Sequence, residues 1–337
     1  MAIADADVRI EMRLRLEPSV VAETLALLEA AAEADGVVPL SEHAWLHLRH
    51  GGDTDARNVL VRRGDVLAGY AHLDPTDRFE GSSGEVVVHP AHREQGIGRA
   101  LVEQLVSLSP DGRLRLWAHG THPGAQRLAT SMGFERFRVL CQMRRSLLAP
   151  LPAAPLPSGV TVRTFEVGRD EDAWIETNNR AFADHPDQSG WTVDDLLVRE
   201  GEAWFDPAGF FLAERDGRLA GFHWTKVHGG SHVHEHDGSA HAHEHDHSEV
   251  GEVYVVGVDP SAQGVGLGPA LTRIGLAHLR QRGVSQAMLY VDESNTNAIK
   301  VYERLGFTRW ATDVSFRRRA SSAPESSGKN DSARPGR

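Results

Sequence analysis

The chain has 337 residues, 40% of them apolar and 25% charged, with a formal net charge of −11. That length suits two domains of about 150 residues each better than a single core. No apolar run of about 18 residues occurs, which excludes a membrane-spanning helix, and the acidic balance argues against a nucleic-acid partner. Met-Ala-Ile-Ala-Asp-Ala-Asp at the start lacks the basic and apolar regions of a secretory signal. The one cysteine, Cys141 in Val-Leu-Cys-Gln-Met, excludes an internal disulfide and reads as a small buried hydrophobe. A cytoplasmic monomer is expected.

Apolar residues at helical spacing predict a helix over 19–34, ended by Asp35-Gly36, and Ser41 is a suitable N-cap for the next. Strands are predicted at 58–62 and 66–73, turning through Arg63-Gly64-Asp65, and at 84–89. A helix over 98–108 places Leu101, Leu105 and Leu108 on one face. A strand at 113–118, a helix at 125–132 stopped by Gly133 and a strand at 134–144 complete a first domain, 1–146. Four prolines between Leu147 and Pro157 give a semi-extended linker, 147–158.

The second domain, 159–318, repeats the order. Strand 160–164 precedes helices 171–181 and 193–200, and a hairpin of 209–215 and 218–227 turns across Asp216-Gly217. Strand 252–258, helix 269–282, strand 287–292, helix 297–305 and strand 308–317 follow. The landmarks Val-x-Pro (88–90, 258–260), Gly-x-Gly (96–98, 266–268) and Gly-Phe (133–134, 306–307) recur in both halves, which marks an internal duplication. A tail, 319–337, rich in Ser, Gly, Asn and Lys is expected to be disordered.

The repeated stretch carries the chemistry. In the second half Glu252-Val-Tyr-Val-Val-Gly-Val-Asp-Pro260 runs into Gln263-Gly-Val-Gly266-Leu-Gly268, and in the first Glu85-Val-Val-Val-His-Pro90 runs into Arg93-Glu-Gln-Gly96-Ile-Gly98. A strand entering a glycine turn that opens a helix leaves backbone N–H groups pointing outward, a site suited to phosphate. Between the hairpin and Glu252, residues 228–247 hold eight histidines, dense enough to take zinc or nickel. The Gly-Gly-Ser and Gly-Ser-Ala within that stretch favour a loose polar extension instead. No metal is expected to be required, and no metal ligand is assigned.

Together with Asn295-x-x-Ala298-x-x-x-Tyr302-x-x-x-Gly306-Phe307, this pattern resembles the GNAT superfamily of acyl-CoA N-acyltransferases. The resemblance implies an α/β fold of two tandem GNAT domains, each a mixed, mostly antiparallel sheet with helices on both faces, and acetyl-CoA as cosubstrate. It implies that Val256, Gly257 and Val258 face the pantetheine arm, and that Gln263, Gly264, Val265, Gly266, Leu267, Gly268 and Pro269 face the pyrophosphate. Asn295 and the helix start Thr296, Asn297, Ala298, Ile299 and Lys300 would lie near the thiol arm. Acetyl transfer to an amine needs a base for the ammonium, a site for the oxyanion and a proton for the leaving thiolate. Glu252 stands where the family often places its base, and Tyr302 where it places its acid. Counting from the glycines, the first domain has Ser82 and Ala129 at those positions. That half is expected to bind acetyl-CoA through Val86, Val87, Val88, Glu94, Gln95, Gly96, Ile97, Gly98 and Arg99, and to be catalytically silent.

More narrowly, Gly-Glu-Ala-Trp-Phe-Asp-Pro207, Gly221-Phe-His-Trp-Thr-Lys226, Trp117-Ala-His-Gly120 and Gln142-Met-Arg-Arg resemble the tandem GNAT enzymes that complete mycothiol. That likeness implies acetylation of the cysteinyl α-amine of a cysteine–glucosamine–inositol conjugate, a thiol-sugar substrate. An α-amine has a pKa of about 8, so modest help from a base suffices. The implied substrate contacts are Asp187, Lys226, Glu252 and Tyr290, with Glu42 from the first domain. The rival expectations are a GNAT enzyme acting on a protein N-terminus or an aminoglycoside, and a metal-binding or acetyl-CoA-sensing protein without catalysis.

Overall fold

The computed structural model describes residues 8–51, 55–76, 81–120, 122–183, 190–229 and 249–318. Asp187, most of the histidine-rich stretch and the 319–337 tail lie outside them. In chain order the elements are β1 (Val8–Arg13), α1 (Pro18–Asp35), α2 (Glu42–His50), β2 (Arg57–Arg63), β3 (Val66–Asp74), β4 (Ser82–Val88), α3 (Ile97–Leu108), β5 (Leu114–Ala118), α4 (Pro123–Ser131) and β6 (Glu135–Ser146). There follow β7 (Val160–Thr164), α5 (Glu171–Ala181), α6 (Val193–Glu200), β8 (Phe210–Arg215), β9 (Arg218–His228), β10 (Val250–Val258), α7 (Leu267–Gln281), β11 (Gln286–Asp292), α8 (Thr296–Arg304) and β12 (Thr308–Arg318).

The chain forms two compact units, 1–139 with 313–337, and 140–312. They differ from the sequence halves because each half gives up part of its last strand. The end of β12, Val314–Arg318, pairs antiparallel with β5 in the first unit, and the end of β6, Leu140–Ser146, pairs antiparallel with β11 in the second. The proline stretch therefore lies within the second unit. The strand β1, which pairs with β2, was not predicted, although its Val8-Arg-Ile-Glu-Met-Arg13 alternates apolar and charged residues with the period of two that marks a strand.

In the first unit, β1 to β4 form an antiparallel ladder and β5 joins β4 in parallel. Helix α3 lies so close to one face that a Cβ on Gly69 would fall 2.8 Å from Ile97, and one on Gly84 2.8 Å from Leu105. On the other face Leu27, Leu28, Ala31, Ala44 and Leu48 of α1 and α2 pack on Leu60, Tyr70 and Val87. The second unit repeats this arrangement. Leu267 and Leu271 of α7 meet Ala213 and Ala220 on one face. An aromatic cluster fills the other, where fully buried Trp174 of α5 sets its ring edge-on to Phe210, Phe222 and Trp224. Truncating one such aromatic costs about 3–5 kcal/mol, so this cluster anchors β8, β9 and β10 beneath the site. Among the described residues no helix is long and apolar enough to cross a membrane.

Candidate active site

Two strands part to open the site. In the second unit β10 pairs with β11 only over Val250–Glu252, so from Val253 onward that edge of β10 has no strand partner among the described residues. Its other edge stays on β9, with a bulge between Val253 and Val255. A bulge increases local twist and re-aims the side chains beside it, which suits a strand peeling from its neighbour. In the first unit β4 and β5 pair over Ser82–Glu85 and then part, and the β3–β4 ladder runs without a bulge. Each unit thus offers a bare strand edge able to take an extended amide-bearing chain by strand-like hydrogen bonds.

Each edge ends at a glycine turn. After β10, Asp259 accepts hydrogen bonds from the Ser261 N–H at 2.9 Å and from Arg180 at 2.7 Å, fixing the start of the turn. The Gln263 amide donates back to the Val258 carbonyl at 3.2 Å, as Arg93 does to Val88 at 3.1 Å in the first unit. Gly264 (φ 80°) and Gly266 (φ 89°) adopt left-handed backbone that side chains resist, and a Cβ on either would meet nothing within 4 Å. Neither Gly266 before α7 nor Gly96 before α3 supplies a capping side chain, and neither helix has an acidic residue in its first turn. Outward N–H groups at a helix N-terminus with space above them suit a pyrophosphate. Leu267 and Ile97 are core residues at 2% exposure, so their part in such a site is confined to the backbone. Gly257 serves packing as well, because a Cβ there would fall 2.6 Å from the Phe222 ring.

Pairing registers fix which side chains share a face. Glu252 is level with Lys226 on β9 and with Met288 on β11, and Tyr290 lies two residues beyond Met288. Directly paired residues, and those two apart, project to the same face, so Lys226, Glu252 and Tyr290 line one surface. Glu252 is only 8% exposed, and His228 Nε2 lies 2.6 Å from its Oε2. Burial raises the Glu252 pKa, but the His228 hydrogen bond and the nearby Lys226 charge outweigh it and hold the carboxyl below the ordinary glutamate value. Lys226 Nζ sits 4.3 Å from the Trp204 ring centre and 5.2 Å from that of Tyr254. Gln142 donates to the Tyr290 hydroxyl at 2.8 Å, and Arg144 Nε to Gln142 at 3.2 Å. His228, Gln142 and Arg144 were not among the predicted site residues. Gln142 and Arg144 belong to the strand end that the first half contributes to this unit.

Tyr302 lies on α8, the helix that follows β11. It is half-buried with its ring edge-on to Phe307 at 5.9 Å, and burial pushes its hydroxyl up to about 12. Asn295 spends its side-chain oxygen on the Ala298 N–H at 3.1 Å as the N-cap of α8. Thr296, Asn297 and Lys300 are exposed around that helix start, while Ile299 is core. Glu42 opens α2 of the first unit.

In the first unit a cleft of about 540 Å³ is lined by Val86, Val87, Val88, Glu94, Gly96, Gly98 and Arg99 among others. Gln95 and Ile97 do not line it. The carboxylate at the parting of these strands is Glu85, not the counted match Ser82, and it is enclosed. Ser41 donates its N–H at 2.6 Å and its hydroxyl to Glu85, and His119 Nε2 is 3.2 Å away. His119 Nδ1 in turn is 3.2 Å from Asp313, which also accepts the Gly120 N–H at 2.8 Å. Although burial opposes its charge, the two carboxylates raise His119 to about 10, so an imidazolium bridges them at neutral pH.

The acetyltransferase (GNAT) family model matches residues 24–134 and 172–307. A mycothiol acetyltransferase of Streptosporangium roseum is 54% identical, the match covering 92% of this chain and 99% of that one. One of Thermobispora bispora is 56% identical over 92% of this chain and 99% of its own. A solved tandem GNAT protein from the clavulanic acid biosynthesis pathway shares the fold with a TM-score of 0.69 at 19% identity, covering 94% of this chain and 99% of that one. The chain belongs to the GNAT acetyltransferases and, among them, to the mycothiol acetyltransferase family.

Proposed function

We propose that the second unit transfers the acetyl group of acetyl-CoA to the cysteinyl α-amine of the cysteine–glucosamine–inositol conjugate, giving mycothiol. The observation that carries this reading is Glu252, a buried carboxylate held ionised by His228 and Lys226 at the last paired position before β10 parts from β11. The bare edge of β10 takes the pantetheine arm, and the turn from Gln263 to Pro269 takes the pyrophosphate through its backbone N–H groups. Lys226, Tyr290 and Asp187 are the proposed contacts to the polyhydroxylated substrate.

Glu252 takes a proton from the α-ammonium, directly or through a water. The freed nitrogen lone pair forms the new C–N bond at the thioester carbonyl, whose electron pair moves to oxygen. When the carbonyl re-forms, the C–S bond breaks, and Tyr302, still protonated at neutral pH, gives its proton to the departing thiolate. A second proton leaves the nitrogen to solvent, and solvent restores Glu252 and Tyr302. Acid–base help of this kind contributes about 10²–10⁴-fold.

The first unit, on this reading, binds acetyl-CoA in its cleft without transferring the acetyl group. Both oxygens of Glu85 are engaged by Ser41 and His119, and α4 carries Ala129 at the position matched with Tyr302. Assaying the purified chain with acetyl-CoA against the cysteinyl conjugate, a peptide N-terminus and an aminoglycoside tests the substrate. Turnover confined to the conjugate is expected. Turnover of another amine alone would overturn the assignment.

A further inference from the structure

We propose that His43, His47 and His72 of the first unit form a binding site for a first-row divalent transition metal of the zinc class. Each offers one ring nitrogen, and the three nitrogens lie within 4.8 Å of one another. His43 and His47 stand four residues apart on α2, so they share a helix face, with ring centres 4.3 Å apart. His72 comes from β3, and its ring lies 5.3 Å from His47 and 6.4 Å from His43.

The independent sign of a ligand is His72. It is 3% exposed, and neither of its ring nitrogens has a hydrogen-bond partner among the described residues. Burying two unsatisfied polar atoms is costly, and native folds seldom do it without a purpose.

The surroundings suit a metal. Asp74 lies 3.1 Å from His43 Nε2 and accepts the Thr76 N–H at 2.9 Å. A carboxylate behind a histidine in this way fixes the tautomer that presents the lone pair on Nδ1 and raises its basicity. The two elements are already tied together, because Ser41, the N-cap of α2, donates to Glu85, which pairs directly with His72 across β3 and β4. Three imidazoles favour zinc, nickel or copper over magnesium or calcium and leave a fourth tetrahedral position for water. A bound ion would clamp α2 to the sheet and add its binding free energy to the stability of the fold.

The test must separate this site from the histidine-rich stretch. In the full chain, the seven histidines from His232 to His247 are replaced by serine. After chelation and dialysis the protein is titrated with zinc by calorimetry and with cobalt(II) by visible absorption. One equivalent of zinc, tetrahedral cobalt bands and a zinc-dependent rise in Tm are expected. Exposed His43 carries little risk to folding, and His43→Ala should abolish the cobalt bands and the Tm rise while keeping the parent's circular dichroism. Asp74→Asn should weaken zinc by about 10–100-fold. No stoichiometric zinc in the loop-substituted parent, or the same zinc binding in His43→Ala, would overturn the proposal.

Discussion

His228 Nε2 lies 2.6 Å from Glu252 Oε2, joining the last residue of β9 to the carboxylate at the mouth of the parted strands. This contact keeps a buried carboxyl charged. Without it, burial would push the Glu252 pKa upward, and the proposed base would become protonated at a higher pH as the pH falls. Replacing His228 with Ala should therefore move the acid limb of the kcat/KM profile to higher pH, leaving the rate above that limb less affected. Glu252→Gln should lower kcat by at least about 10²-fold across the profile while acetyl-CoA still binds. An acid limb that stays in place in His228→Ala would show that this contact does not tune the base.

Tyr302→Phe keeps the ring against Phe307 and removes only the hydroxyl. A fall in kcat of about 10²-fold is expected, with little change in the KM for acetyl-CoA, because the proton is needed only as the thiolate departs. A raised KM at unchanged kcat would instead make Tyr302 a binding residue.

The glycine turns separate the roles of the two units. Gly266→Ala puts a methyl into the open space proposed for the pyrophosphate and sets a side-chain-bearing residue at φ 89°. A turn that relaxes when free must regain that backbone to bind, at a cost of about 1–3 kcal/mol, and at tenfold per 1.4 kcal/mol the KM for acetyl-CoA should rise by about tenfold. Gly96→Ala imposes the same strain on the first unit at φ 86° and should leave turnover close to the parent's. Steady-state kinetics of the two variants side by side check this.

His119 makes the stability of the first unit depend on pH. Its folded pKa of about 10 stands above the unfolded value of 6.5, so the stabilisation is fully present below 6.5 and is lost as pH rises towards 10. Glu85 is shifted the opposite way, downward, so its contribution disappears only in acid. His119→Gln should thus cost about 3 kcal/mol or more at pH 6, with a difference in Tm that shrinks as the pH approaches 10. A gap in Tm that does not change with pH would contradict the bridged imidazolium.

Much of this architecture is legible in the residues. Period-two and helical spacing locate nearly every element within one to three residues, because the core faces are strongly patterned. The glycine turns stand out since only glycine tolerates φ near 90° before a helix. What escaped the sequence depends on pairing over long separations. Counting back from Gly96 selects Ser82, yet β4 stays paired with β5 as far as Glu85, while β10 leaves β11 six residues before Val258. Gln142 and Arg144 could not be assigned to the second unit before the exchange of strand ends was known. His43 and His47 show the four-residue spacing of a metal site, but their third partner, His72, becomes apparent only when β3 is laid beside α2.

On the proposed mechanism, the gap beside Glu252 acetylates a cysteinyl amine. The most direct test incubates parent and Glu252→Gln with acetyl-CoA and the cysteine–glucosamine–inositol conjugate, and locates the new acetyl group by mass spectrometry. An acetyl on the α-nitrogen, formed at least about 10²-fold more slowly by Glu252→Gln, is the predicted result. No N-acetylated conjugate from the parent, or equal rates from both proteins, would contradict this role for Glu252.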